Sequence, residues 1–245
     1  MPGASAEKGT DRMSMSKPLK KAGDTALFYN DFAEEFDRKM NRYDLRRRLD
    51  IVFNELLPRE IRGKRLLDAG CGTGHFSLAA SERGAAVTSM DIGERLLAKV
   101  AEKCETERII GSVLQMPFED NSFDIIVSTE VIEHTPAPYN AVSELYRVLR
   151  PGGILALTVP NRFWKWSCVL ANALKVRPYE GMENWVGYDR LRKKLEAAGF
   201  SVIAYKGFHA LPFQAAFLHP LLTLMDRQGD RFGRFYINIA AACRK

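Results

Sequence analysis

The sequence predicts an α/β fold, a doubly wound and largely parallel sheet with helices on both faces. Three observations carry that reading. From Lys64 onward, short apolar runs alternate with segments of helical period. The run at 123–128 (FDIIVS) is apolar without alternation, as a central parallel strand covered on both faces must be. A third short run, Leu66-Leu67-Asp68-Ala69, enters the turn Gly70-Cys71-Gly72-Thr73-Gly74 and then a helical pattern.

Taken in order, residues 1–24 are polar and aperiodic and read as a disordered tail without the apolar stretch of a secretory signal. Residues 25–40 place Phe28, Tyr29, Phe32 and Phe36 at helical spacing, and residues 43–57 form a second helix stopped by Pro58. Strands are expected at 65–69, 85–91, 109–111, 123–128, 154–159, 200–205 and 235–242. Helices are expected at 74–83, 94–102, 137–149 and 188–198, the third ended by Pro151-Gly152-Gly153. One domain over 25–245 is therefore expected: a helical lid (25–63), a ligand-binding core (64–161), substrate-side insertions and last helices (162–232) and a final strand (233–245).

In the 245 residues, 46% hydrophobic and 27% charged content excludes wholesale disorder and fibrous classes, and no apolar run is long enough to span a membrane. The four cysteines are scattered without zinc or CxxC spacing, which fits free thiols in a reducing cytoplasm. Charge is segregated. Residues 66–161 hold 7 Lys/Arg against 13 Asp/Glu, whereas residues 162–245 hold 14 against 6. An acidic middle suits a cationic ligand, and basic flanks suit an anionic substrate or membrane surface, although any one basic cluster is more simply a solvated face.

The chemistry concentrates at the glycine loop. Glycines allow close approach of backbone to ligand, and Asp91, at the end of the second strand, fits ribose hydroxyls. Asp68 at the first strand's tip would repel a pyrophosphate but attract an ammonium or sulfonium group; the alternative is a turn-capping acid. The spacing Gly70-x-Gly72-x-Gly74 is also tighter than the dinucleotide G-x-G-x-x-G.

On the segments LLDAGCGTG (66–74), Asp91, MPFEDNSFDIIVSTEVIEH (116–134) and LRPGGILALTVPN (149–161), the sequence resembles the class I S-adenosylmethionine-dependent methyltransferases. The resemblance implies a Rossmann-like seven-stranded sheet with the last strand antiparallel, and S-adenosylmethionine (SAM) as cofactor. It implies that Asp68, Gly70, Gly72 and Gly74 line the methionine end of the cofactor, that Cys71 also contacts the cofactor, that Asp91 holds the ribose, and that Ile92 and Met116 flank the adenine. Ser112 stands where many relatives have an adenine-binding Asp, so a hydroxyl or a backbone carbonyl takes that contact.

After the 123–128 strand come Glu130, Glu133 and His134, spaced i, i+3, i+4, which one helical turn would gather on one side. They are the candidate catalytic residues. His134 is a general base, and the three together are a candidate site for Mg²⁺, Mn²⁺ or Zn²⁺; a metal-free turn contacting the cofactor is the alternative. The turn is similar to that of ubiquinone-pathway O-methyltransferases.

The ends of the chain would choose the substrate. Tyr29 is a candidate lid residue over the cofactor. Trp164 and Trp166 alternate with basic residues, and residues 207–225 carry no charge, so they form a lipid-contacting or binding surface or else a buried cap. The expected function is methyl transfer from SAM to a hydroxyl oxygen of a small acceptor, lipophilic (quinone-like) or anionic, with a peripheral membrane contact left open. Alternatives are RNA methylation, N- or C-methylation of a small molecule, and a non-catalytic SAM-binding subunit. Nucleic acid is the less expected partner, because no RNA-binding module is appended, and the sequence does not fix an oligomeric state.

Overall fold

A computed structural model of the protein describes residues 33–173, 183–213 and 216–245. Seven strands form one sheet in the order β3-β2-β1-β4-β5-β7-β6. They are β1 (Arg65–Ala69), β2 (Ala86–Asp91), β3 (Glu107–Ile110), β4 (Phe123–Thr129), β5 (Leu149–Pro160), β6 (Ser201–Phe208) and β7 (Asn238–Arg244). Only β7 runs antiparallel to its neighbours, β5 and β6. The strand order reverses between the parallel neighbours β1 and β4, the place where open α/β sheets leave a crevice at their carboxyl edge.

Alternate residues of the central strands feed two separate cores, the consequence of a side-chain period of two. Leu67, Ile126, Leu155 and Leu157 face one side, against α5 (Pro138–Val148) and α7 (Tyr188–Ala197). Leu66, Ile125, Val127 and Ala156 face the other, against α3 (His75–Glu82) and the π-helical stretch Ile51–Leu56 that continues α2 (Arg42–Asp50). Every residue of β4 is buried, which is why the sequence shows no alternation there. Helix α1 (Ala33–Lys39) precedes α2, and α4 (Glu94–Lys103) packs beside α3 and against β2.

The structure departs from the sequence reading in three places. Strand β5 begins at Leu149, five residues early, because Gly152 at φ 77° and Gly153 let the chain bend and still pair with β4 and β7. Strand β7 begins at Asn238, since Gly233–Phe235 form a 3₁₀ turn. The uncharged stretch at 207–225 is neither wholly cap nor wholly surface. Its Phe208 and Leu222 are buried, while Phe217 is 82% and Leu224 58% exposed, the latter on α8 (His219–Asp226). Residues 1–32, with Tyr29, Phe28 and Phe32, lie outside the described residues. Among the described residues, no helix is long and apolar enough to cross a membrane.

The C-terminal edge closes on glycine. A methyl group on Gly207 would stand 2.5 Å from Gly233 Cα and 2.7 Å from Tyr236 Cβ, so β6 can touch the 3₁₀ turn only without a side chain. Gly207→Ala is expected to cost about 1–3 kcal/mol by overpacking, read as a lower urea midpoint at unchanged slope.

Candidate active site

The glycine loop is fixed by the neighbouring strand. Gly70 and Cys71 both donate their N–H to the Met90 carbonyl, at 2.8 and 3.0 Å. Gly70 has φ 81°, and a Cβ there would lie 2.5 Å from Val131, so glycine is required both by conformation and by the approach of the next turn. Asp91, at the tip of β2, accepts the Gly72 N–H on Oδ2 at 3.0 Å and the Gly93 N–H on Oδ1 at 2.9 Å. Each carboxylate oxygen has a second lone pair available for a hydroxyl donor.

At this carboxyl edge lies a cavity of about 700 Å³. One wall is Gly70, Cys71, Gly72, Asp91, Ile92 and Ser112; the other includes Thr129, Glu130, Glu133 and His134. Ile92 is 40% exposed, which leaves an apolar face beside the Asp91 carboxylate. Such a cavity, with a glycine backbone, hydroxyl-accepting acid and apolar face on one wall, fits the nucleoside and amino-acid ends of SAM. Ser112 faces it, although its Oγ already accepts the Leu114 N–H at 3.2 Å. Cys71 is buried, with its thiol pushed well up by burial and the nearby carboxylates Asp68 and Asp91, so it serves as a neutral wall.

Three expected cofactor residues lie off the cavity wall. Asp68 is buried behind the loop, where its Oδ2 accepts from Ser77 Oγ at 2.7 Å; its position at a strand tip pointed outward in sequence, but its side chain falls on the helix α3 face. Gly74 begins α3, and a Cβ there would meet Val100 at 2.9 Å, so it sets the packing of loop on α4. Met116 belongs to the core below α5, with its N–H donated to Glu144 at 2.9 Å; Val113 and Leu114 stand on the cavity wall instead.

The Glu-x-x-Glu-His segment is not one α-helical turn. Glu130 sits at φ 55°, and only Ile132–His134 form a 3₁₀ turn. The Glu130 carboxylate accepts from Thr158 Oγ1 at 2.9 Å and from Asn238 Nδ2 at 3.0 Å. Among the described residues, no three His, Cys, Asp or Glu side chains converge as a metal site. The expected triad of Glu130, Glu133 and His134 as Mg²⁺, Mn²⁺ or Zn²⁺ ligands is corrected on that donor geometry, with Glu130 turned into the sheet. Glu133 and His134 do remain together, Nε2 lying 3.8 Å from Glu133 Oε1. Glu133 is 1% exposed, and its Oε2 has no hydrogen-bond partner among the described residues. Burial, and next the charge of Glu130, pushes the Glu133 carboxyl well above its ordinary range; burial pushes Glu130 to about 7 against the pull of Arg48.

Arg48 was not legible as a site residue. It reaches the cavity from α2, held by Asp44 Oδ2 at 2.9 Å (Nε) and 2.6 Å (Nη2), and Asp44 Oδ1 lies 3.1 Å from His209 Nε2. The i, i+4 spacing of Asp44 and Arg48 predicts their pairing, but nothing in sequence joins α2 to His209. Helix α1 is similarly strapped to the glycine loop, with Asp37 Oδ1 accepting from Thr73 Oγ1 at 2.5 Å and Oδ2 2.5 Å from Lys103 Nζ.

The sheet order and the glycine loop at the carboxyl-edge crevice are those of a Rossmann-like α/β fold. A family model described as a methyltransferase domain matches residues 67–157. The chain is 35% identical over 129 residues to a malonyl-[acyl-carrier protein] O-methyltransferase of Pectobacterium atrosepticum, covering 51% of each chain. It is 37% identical over 112 residues to a ubiquinone biosynthesis O-methyltransferase of Pseudomonas entomophila, covering 42% of this chain and 47% of that protein. The chain thus spans about half the length of the curated relatives it matches. A SAM-dependent methyltransferase structure from Thermotoga maritima shares the fold with a TM-score of 0.66 at 19% identity, over 89% of this chain and 98% of that one. Residues 67–157 thus match a methyltransferase domain, and together with the relatives and the shared fold they support a class I S-adenosylmethionine-dependent methyltransferase.

Burial, assisted by the negative charge of Asp91 and opposed by the Ser77 hydrogen bond, raises Asp68 to about 7. Between the unfolded value of about 4 and about 7 the folded chain holds this proton and the unfolded chain does not. Asp68 therefore makes stability fall as pH rises through that window. Asp68→Asn, which keeps an acceptor for Ser77, is expected to gain stability relative to wild type between about pH 4 and about pH 7; urea midpoints at three pH values check this.

Proposed function

We propose that the protein transfers a methyl group from SAM to an oxygen of a small acceptor molecule, with Glu133 taking the acceptor's proton. The observation that carries this reading is the buried, unpartnered Glu133 Oε2 in the same cavity as the Gly70–Gly72 backbone and Asp91. A buried carboxylate oxygen without a partner is costly unless a ligand supplies the donor. An acceptor hydroxyl is such a donor.

When bound, SAM would supply an electrophilic methyl group on a sulfonium, whose carbon–sulfur bond breaks to leave a neutral thioether. The chain's own residues do the remaining work. The Gly70 and Gly72 backbone leaves room for a ligand at the loop, and Asp91 accepts from vicinal hydroxyls. Glu133 hydrogen-bonds the acceptor hydroxyl through Oε2, orients its lone pair toward the methyl group and receives its proton as the oxygen–carbon bond forms. Burial and the charge of Glu130 raise its proton affinity, so it acts from its ionised form, having first released its own proton to solvent; the positive charge of Arg48 favours that carboxylate, and the methyl transfer returns it to the neutral acid. His134, beside Glu133 Oε1, orients the carboxyl and gives the proton a path toward solvent, because its side chain is 24% exposed. Water is kept from the reacting atoms by Pro136, Pro160 and Trp185 around the cavity. The names of the two curated relatives, both O-methyltransferases, support oxygen as the methylated atom.

The reading is tested with methyl-labelled SAM and an extract of host cells, separated into organic, aqueous small-molecule and nucleic-acid fractions. Alkali-labile or ether-type label in a small-molecule fraction supports it; label confined to nucleic acid, or none, overturns it. With the acceptor so identified, Glu133→Gln is expected to lower kcat by roughly 10²-fold or more while leaving the SAM dissociation constant unchanged. Equal loss of cofactor affinity would make Glu133 a structural rather than a catalytic residue.

A further inference from the structure

A second cavity, of about 440 Å³, adjoins the first and shares Pro136, Glu183 and Trp185 with it. The partition between them is tied to the catalytic turn. Asn184 donates its N–H to the Glu133 carbonyl and its Nδ2 to the Thr135 carbonyl, both at 2.6 Å. The same segment is bridged to the end of β5, where Arg162 donates its N–H to the Val186 carbonyl at 2.9 Å. The two cavities therefore form two chambers of one framework, with the chemistry of the wall changing between them.

The carboxylates of Asp44, Asp91, Glu130, Glu133 and Glu183 line the main cavity, against one arginine, Arg48. The second gathers Arg162, Lys165 and Arg190 from three elements: the 3₁₀ turn Arg162–Trp164, α6 (Lys165–Ala173) and α7. None of the three cations has a carboxylate within ion-pair distance among the described residues. Arg190 lies instead over the Tyr139 ring at 5.2 Å, with Lys194 at 5.5 Å from the same ring. Trp185 commits its indole N–H to Glu183 at 3.1 Å, so what it offers is a flat apolar face. Like charges drawn into one concave site repel one another, and an anion relieves that repulsion while gaining charge-assisted hydrogen bonds.

We propose that this basic chamber is a subsite for an anionic group, a phosphate or a carboxylate, carried by the acceptor at a distance from the oxygen that receives the methyl group. The word acceptor rests on the methyl-transfer reading; the anion site itself does not. The three exposed cations, set against the Glu183 carboxylate in the same lining, favour an acceptor with an anionic tail over a neutral one.

The test is calorimetric titration of the full chain with phenyl phosphate, benzoate and phenol as probes, and separately with SAM. Phenyl phosphate or benzoate is expected to bind, more weakly as salt is raised, and the tighter of the two identifies the anion. The triple variant Arg162→Gln, Lys165→Gln, Arg190→Gln is expected to lose roughly tenfold or more of that affinity, with SAM affinity unchanged. Each single variant is expected to lose part of it, so the outcome is readable even if the triple variant folds poorly. Phenol binding as tightly as the two anions, or undiminished anion binding in the variants, overturns the proposal. Absent SAM binding together with intact, variant-sensitive anion binding would overturn the methyl-transfer reading and still support the subsite.

Discussion

The end of β4 depends on the anchoring of Glu130. A non-glycine residue in the left-handed region costs of order 1 kcal/mol, and Glu130 is held there by three hydrogen bonds to two other strands. Its N–H donates to the Thr158 carbonyl at 2.9 Å, and its carboxylate accepts from Thr158 and Asn238. The reversed residue turns the chain sharply off the sheet, so that Val131 comes over Gly70 and Glu133 comes into the cavity. An antiparallel β7 is part of the same device. Because it runs against β5, its first residue, Asn238, lies opposite Pro160 at the carboxyl edge, where Glu130 needs a donor.

A second set of contacts brings remote segments to the crevice. Helix α2 contributes Arg48 to the wall, and its position is secured from the other end of the chain. Asp44 faces His209, and Arg47 Nε donates to the fully buried Asp226 at 2.9 Å, which also accepts the His209 N–H at 2.8 Å. A buried carboxylate is stable only when its charge is matched and its lone pairs are used, and Asp226 meets both conditions through Arg47, 179 positions away on α2, and through the His209 N–H just past β6. The acidic middle and basic ends of the sequence are thereby brought into register: the acids line the reacting chamber, Arg48 moderates their mutual repulsion, and the basic later residues gather in the adjoining chamber.

The cofactor side and the acceptor side of the cavity have different physical origins. The cofactor wall is built from consecutive backbone at β1 and β2, where φ, hydrogen bonding and one carboxylate suffice. The acceptor wall is assembled from β4, α2 and the segment around Trp185, and its composition follows from packing between elements distant in sequence. On the proposed reading, the nucleoside side rests on one strand–loop–helix unit, whereas the acceptor side rests on the whole sheet edge.

That division governs what was legible in the sequence. The strand–helix alternation, the buried β4, the glycine loop and Asp91 were readable because each rests on local period, local φ or a fixed spacing along the chain. The placement of Gly70, Cys71, Gly72, Asp91, Ile92 and Ser112 on one wall followed from the same local logic. Asp68, Gly74 and Met116 lie off the cavity wall because sequence spacing fixes the strand or helix a residue occupies but not what covers its side chain. Glu130, Glu133 and His134 were found as a cluster, yet their i, i+3, i+4 spacing suggested a shared face that the left-handed Glu130 removes. Arg48, and the basic chamber of Arg162, Lys165 and Arg190, needed tertiary structure outright. Sequence determines which residues are charged and where turns fall; only the folded sheet brings charges from separate elements within reach of one ligand, because their distances are set by packing and not by position along the chain.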